Sequence, residues 1–164
     1  MNEFAFAVGG LTCRVICDED APPVVDSFVS GLGSKFLCGT VIATHSLNGR
    51  EVLMRDHINL VMTLEHPGRR LISFIFAELE DQNHLARLHI LYTLRSYRNQ
   101  GYAKQLLSCF DQILVKGGYT SVILAPTSNL SLRLFQKHQL ITTLSYKLYP
   151  PGPEVLALGD VECD

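Results

Sequence analysis

The chain has 164 residues, 47% of them hydrophobic, with a formal net charge of −2. That is the length of one ordinary domain with a real core, and the apolar fraction argues against disorder. No apolar run approaches the roughly 18–20 residues of a membrane-spanning helix, and Met1-Asn-Glu-Phe4 lacks the cationic start of a secretory signal, so a cytoplasmic protein with no membrane partner is expected.

Residues 1–10 are apolar and end in Gly9-Gly10, as an extra edge strand or an N-terminal extension would. Leu11 to Cys17 reads as a strand. Asp18-Glu-Asp20 opens a helix, with acids where the helix dipole favours them and Pro22 and Pro23 in the first turn, where a missing N–H does no harm. Val24, Val25, Phe28, Val29 and Leu32 give its stripe, and a second helix covers Phe36 to Thr44. Three strands follow: Ile58 to Glu65, Leu71 to Leu79 and Leu85 to Leu94. The turns between them are His66-Pro-Gly-Arg69 and Glu80-Asp-Gln-Asn83. The second of these strands is apolar enough to be buried on both faces. A helix over 101–116 stops at Gly117-Gly118. Tyr119 to Leu124 is a strand, Pro126-Thr-Ser128 a turn and cap, Leu130 to His138 a helix, and Leu140 to Tyr149 a strand. After the Pro150-Pro-Gly-Pro153 bend come a last strand, Val155 to Leu158, and an acidic tail over 160–164. Hairpins before a strand–helix–strand crossover predict a single α/β domain with a mixed sheet.

Cys13, Cys17, Cys38, Cys109 and Cys163 are odd in number and lack C-x-x-C spacing. They read as free thiols, with neither a disulfide framework nor a metal site. Charge is uneven: residues 82–153 carry +7, with Asp111 their lone acid, and the remainder carries −9. The basic part suits a small polyanion. No aromatic-interleaved basic stripe supports nucleic acid. Pairing between the two parts would also account for the asymmetry.

The most informative stretch runs from Leu88 to Lys104. An apolar strand turns through Arg98-Asn-Gln-Gly101 and leaves as a helix, with Leu106, Leu107, Phe110, Ile113 and Leu114 at helical spacing. The first amides of a helix lack intrahelical acceptors and its dipole favours negative charge there, so this arrangement suits an anion. Arg98-x-x-Gly101-x-Ala103 resembles the acyl-CoA pyrophosphate loop, Arg/Gln-x-x-Gly-x-Gly/Ala, of the GNAT superfamily of N-acyltransferases. The order of elements over residues 11–159 is similar to that family's. Ser128-Asn-Leu-Ser-Leu-Arg-Leu-Phe135-Gln-Lys-His-Gln-Leu140 resembles its Asn-x-x-Ala/Ser-x-x-x-Tyr-x-x-x-Gly-Phe helix.

The resemblance implies a mostly antiparallel sheet of about seven strands with about four helices, splayed at the family's fourth strand. It implies acetyl-CoA as cofactor and a primary amine on a small molecule, peptide or protein as acceptor, in a monomer or homodimer. Carried over, the pyrophosphate cradle is Arg98, Asn99, Gln100, Gly101, Tyr102, Ala103 and Lys104. Leu91, Tyr92 and Thr93 line the pantetheine arm, with an amide near Leu91 polarising the thioester carbonyl. Ser128 or Asn129 takes the place of the family's asparagine. His89 stands where polyamine-type relatives have a glutamate, and Glu78 on the adjoining strand competes with it as proton acceptor. The family's tyrosine, which often protonates the departing thiolate, aligns with Phe135. Water or another group such as Tyr146 then serves, or no acid is needed. The acidic 1–81 segment hints at a cationic acceptor. The alternative is a non-catalytic module of the same fold that binds acyl-CoA and reports on it to a partner.

Overall fold

The computed structural model of the chain describes residues 2–17, 57–68, 70–126 and 128–149. Strands β1 (Asn2–Val8), β2 (Leu11–Cys17), β3 (His57–His66), β4 (Arg70–Glu80), β5 (Leu85–Thr93), β6 (Ser121–Leu124) and β7 (Ser145–Leu148) form one sheet in sequence order. β1 to β5 pair antiparallel. β6 joins β5 after helix α1 (Tyr102–Lys116), and β7 joins β6 after helix α2 (Asn129–Gln139), both parallel. The mixed α/β sheet is the expected one. The helices expected over 18–32 and 36–44 and the strand over 155–158 lie outside the described residues.

Local chemistry sets the boundaries. The expected N-terminal edge strand is β1, because Gly9 and Gly10 both take positive φ (53° and 82°) and close a two-residue hairpin onto β2. α1 stops in a Schellman arrangement: Tyr119 N–H donates to Leu114 O at 2.9 Å and Gly118 N–H to Val115 O at 3.1 Å, with Gly118 at φ 85°. α2 starts in a capping box, in which Ser128 Oγ accepts from Ser131 N–H and Ser131 Oγ accepts from Ser128 N–H. The strand expected over 140–149 is shorter than its apolar pattern. Leu140 and Ile141 are 84% and 75% exposed, in the turn that leaves α2. Thr142 then bends the chain: its Oγ1 donates to Asp111 and accepts from Leu144 N–H at 3.1 Å, and pairing begins at Ser145.

α1 buries Leu106, Leu107, Cys109, Phe110 and Leu114 against Cys13, Val15, Leu60, Met62, Leu64, Ile75, Ala77 and Leu88. Each such side chain contributes roughly 1.5–3 kcal/mol. β4 is buried on both faces, as its composition implies; Ile72, Phe74 and Phe76 sit on the side away from α1. Cys13 and Cys109 are buried free thiols that hydrogen-bond each other, which together with burial pushes the Cys13 pKa up. No helix among the described residues is long and apolar enough to cross a membrane.

Candidate functional site

β5 and β6 share only three register pairs, Leu85–Arg87 with Ser121–Ile123, yet β5 runs on to Thr93. Beyond Arg87 the two strands part, which is the expected splay; the added N-terminal strand makes its carrier the fifth in this chain. The phase of the open edge follows from one bond. Leu94 N–H donates to Ile72 O on the β4 side at 2.9 Å. Peptide groups alternate sides along a strand, so those of Leu91 and Thr93 face the open edge. There the Thr93 carbonyl accepts from Arg98 Nε at 3.0 Å.

The loop below the splay presents amides. After a 3-10 turn at Arg95–Tyr97, Asn99 (φ 64°) and Gly101 (φ 83°) adopt left-handed backbone. Gly101 caps α1 with no side-chain cap and no acid in the first turn. The first intrahelical bond is Gln105 N–H to Gly101 O at 3.1 Å. The amides of Tyr102, Ala103 and Lys104 therefore project from the helix start without intrahelical acceptors, at the positive end of its dipole. A Cβ on Gly101 would meet nothing within 4 Å, so the space over the loop is open to a ligand. Among the described residues, Arg95, Arg98 and Lys104 form no ion pair, whereas Glu3 and Glu65 pair with Arg14 and Glu80 with Arg87. Positive charge near the loop is thus left for an anion.

A cleft of about 280 Å³ joins splay and loop, lined by Leu91, Tyr92, Thr93, Tyr97, Arg98, Asn99, Gly101, Tyr102, Ala103, Leu130, Ser131 and Leu134. Eight of the expected cofactor residues meet there. The Arg98 guanidinium lies 5.0 Å from the Tyr92 ring centroid and walls the cleft. Gln100, Lys104, Ser128, Asn129 and Phe135 are not in the lining. Gln100 is exposed and donates to Ser96 O, and Lys104 is exposed. Ser128 is buried as the α2 cap, and Asn129 opens the helix. Phe135 is 2% exposed, in the core, with its ring 6.5 Å from that of Tyr146. Tyr97, just ahead of the Arg98 loop, is an added lining residue, and so are Leu130, Ser131 and Leu134. Leu130 and Leu134 begin the i, i+4 row that ends in His138, and Ser131 precedes Phe135 by four; the first turns of these rows face the cleft and the later ones the core, a division that helical spacing alone does not signal.

His89 and Glu78 lie beside this cleft, outside its lining. β5 carries one extra residue against β4: Phe76 pairs with Ile90 and Ala77 with Leu88, so His89 is bulged. His89 Nε2 hydrogen-bonds Glu78 Oε1, and its ring stacks on Phe76 at 5.5 Å. Both side chains are sheltered, 17% and 5% exposed. The pair sits two residues along β5 from Leu91, roughly 7 Å by strand rise. A histidine–carboxylate pair of this kind can orient an imidazole and take up a proton.

Tyr146 is elsewhere. Its hydroxyl donates to Asp111 on α1, which also bonds His138 Nε2 at 2.7 Å and Thr142 Oγ1 at 2.5 Å. Burial, then the Asp111 carboxylate, push the Tyr146 pKa well above the usual phenol value. The cluster ties α1 to α2 and β7 and so fixes the two helices whose first turns wall the cleft.

The model of the Acetyltransferase (GNAT) family matches residues 42–139. A search of curated proteins returns no match. Among solved structures, AAC(6′)-Iy in complex with the bisubstrate analogue CoA-S-monomethyl-acetylneamine aligns with a TM-score of 0.53 at 18% identity, over 86% of this chain and 97% of its own. YhbS, a GNAT family N-acetyltransferase from Escherichia coli in complex with CoA, aligns with a TM-score of 0.50 at 18% identity, over 92% and 82%. A GNAT family acetyltransferase from Staphylococcus aureus Mu50 gives 0.50 at 14% identity, over 77% and 82%. At such identities these likenesses concern the fold.

Proposed function

The chain belongs to the GNAT acetyltransferase family, and on that premise we propose that it transfers an acetyl group from acetyl-CoA to a primary amine by direct attack in a ternary complex. The observation that carries this reading is the single cleft in which an uncapped helix start and the open edge of β5 face the same space. That donor set fits the family's cofactor: backbone amides and unpaired cations for a pyrophosphate, and strand peptide groups for an amide-bearing arm. When bound, acetyl-CoA supplies a thioester carbonyl open to attack by an amine.

The chain's own residues do the rest. The amides of Asn99 to Lys104 hold the phosphates, with Arg98 and Lys104 adding charge. The open-edge peptide groups of Leu91 and Thr93 hold the arm, and the Leu91 N–H donates to the carbonyl oxygen as negative charge develops on it. Holding both reactants in place supplies much of the barrier reduction. His89, oriented by Glu78, accepts the proton that the ammonium must lose. A cationic acceptor is favoured by the acidic balance of residues 1–81, the part of the chain that the family resemblance gives to the acceptor side. The leaving thiolate needs no acid from Phe135 or Tyr146, since thiols ionise near ~8.5.

The test is turnover. The protein is incubated with acetyl-CoA and a panel of a polyamine, an aminoglycoside, a peptide N-terminus and a lysine peptide, and free CoA thiol is followed. Amine-dependent thiol release with acetylated product is expected. Tight acetyl-CoA binding without transfer to any class would favour the non-catalytic module.

A further inference from the structure

The N-terminal strand β1 is the outer strand of the sheet, and among the described residues nothing pairs with its far side. It has seven residues, Asn-Glu-Phe-Ala-Phe-Ala-Val, with no proline and one charge, Glu3. Phe4 is 50% exposed, and Glu3, Ala5 and Ala7 are exposed as well. A long, apolar, uncovered edge is a template for another strand, and proteins usually blunt such edges with lysine, proline or a bulge. The register of β1 against β2 is unbroken, so no bulge is present.

The hairpin fixes which groups the edge offers. Gly9-Gly10 is a two-residue loop flanked by the pair Val8–Leu11. In a loop of that kind the flanking residues form a hydrogen-bonded pair, and hydrogen-bonded pairs then alternate along the ladder. Val8, Phe6 and Phe4 therefore spend their peptide groups on β2. The N–H and C=O groups of Glu3, Ala5 and Ala7 point outward.

We propose that the partner of this edge is β1 of a second copy of the chain, antiparallel, with the two-fold axis at Ala5. Centred there, the sequence is self-complementary. Ala5 faces Ala5 of the other protomer, and Glu3 faces its Ala7 in both directions. Each of these is a hydrogen-bonded pair that exchanges two bonds, so all outward groups of the three residues are satisfied. Phe4 then faces Phe6 of the other protomer in the non-hydrogen-bonded positions, where side chains come closest, and it does so twice. Both phenylalanines lie on the α1 face: they pair with Val15 and Cys13 of the core, and Phe6 packs against it. The contact thus continues the apolar layer from one protomer to the next. Charge permits the pairing. Glu3 meets alanine across the axis and is already paired with Arg14 at 3.0 Å. The interface is isologous and closes on itself. An edge this short buries less than the roughly 1,200 Å² of a standard interface, so the association is weak and reversible.

Sedimentation velocity from about 1 to about 200 μM tests this (a span wide enough to populate a weak, reversible dimer of small interface). The expected result is a reversible shift from 18.3 kDa to twice that mass. Phe4→Lys should weaken dimerisation at least tenfold, because it places a cation opposite an apolar ring on each side. Ala5→Pro removes an outward N–H that β2 does not use, and should do the same. Hydrogen exchange gives a second readout on the unaltered chain: the Glu3, Ala5 and Ala7 amides should gain protection as concentration rises, whereas Phe4 and Phe6 stay protected throughout. A monomer across the range, or a dimer that both variants leave intact, would overturn the proposal.

Discussion

Asp111 offers the most quantitative test of how the fold holds the site. It is the one acid in a basic stretch of the sequence, and the structure gives it three donors from three separate segments: His138 of α2, Thr142 of the following turn and Tyr146 of β7. His138 and Tyr146 are 5% and 7% exposed, so neither can turn to water when the carboxylate is removed. A buried polar group left without its partner costs about 1–3 kcal/mol. Thr142 is half-buried and can be rehydrated, so two deserted groups are counted. Asp111→Ala should therefore destabilise the protein by about 2–6 kcal/mol, a large part of the ~5–15 kcal/mol of an ordinary domain. At about 2–4 °C per kcal/mol for a chain of this size, Tm falls by about 4–24 °C. Asp111→Asn keeps one acceptor oxygen and should lose about half as much. Thermal unfolding followed by circular dichroism measures both. A Tm change below about 2 °C in the alanine variant would refute the argument that this carboxylate joins α1 to α2 and β7.

Other variants probe the site itself. Gly101→Glu forces a side chain into left-handed backbone, a strain of about 1–2 kcal/mol that the fold tolerates. Its carboxylate would enter the amide cradle, where a like charge at about 4 Å is worth about 4 kcal/mol at an intermediate dielectric. CoA affinity in calorimetric titration should fall at least ~100-fold, and Gly101→Ala, equally strained but uncharged, should lose far less; equal affinities for all three proteins would remove the loop from the binding site. His89→Ala should lower kcat by on the order of 10²–10⁴ and flatten the acid limb of the pH–rate profile, whereas an unaltered profile would pass the proton to Glu78 or water. Tyr146 has a folded pKa raised above its unfolded value of about 10, so the folded state holds that proton longer. Its contribution is complete below pH ~10 and is lost as pH rises toward the folded value. Stability should fall above pH ~10, less steeply in Tyr146→Phe, and equal slopes would deny the coupling.

The part of the site that was legible in the sequence is the part built from neighbours in the chain. Strand, glycine loop and helix start follow one another between Leu88 and Lys104, and each has a local signature. What the sequence hid depends on partners far away. The splay, expected from the family resemblance and not from the residues, is a pairing that stops after Arg87, and no residue of β5 announces it. The bulge adds one residue opposite β4; it turns Ile90 to the side of Phe76 and Leu91 to the side of α1, and a strand pattern read two residues at a time cannot reveal it. The apolar run from Leu140 looked like a strand, but Thr142 and Asp111, 31 residues apart, bend it first. Phe135 was aligned to a cleft position, yet one step of about 100° around α2 separates it from Leu134, which does line the cleft.

The central claim is that the cleft between the splayed strands and the Gly101 loop takes acetyl-CoA. Isothermal titration of the purified protein with acetyl-CoA, with dephospho-CoA and ATP as controls, tests it most directly. The account predicts micromolar binding of acetyl-CoA at one site per chain, dephospho-CoA retained through the shared pyrophosphate and arm, and ATP bound far more weakly. No heat of binding with acetyl-CoA, or ATP bound more tightly than acetyl-CoA, would contradict it.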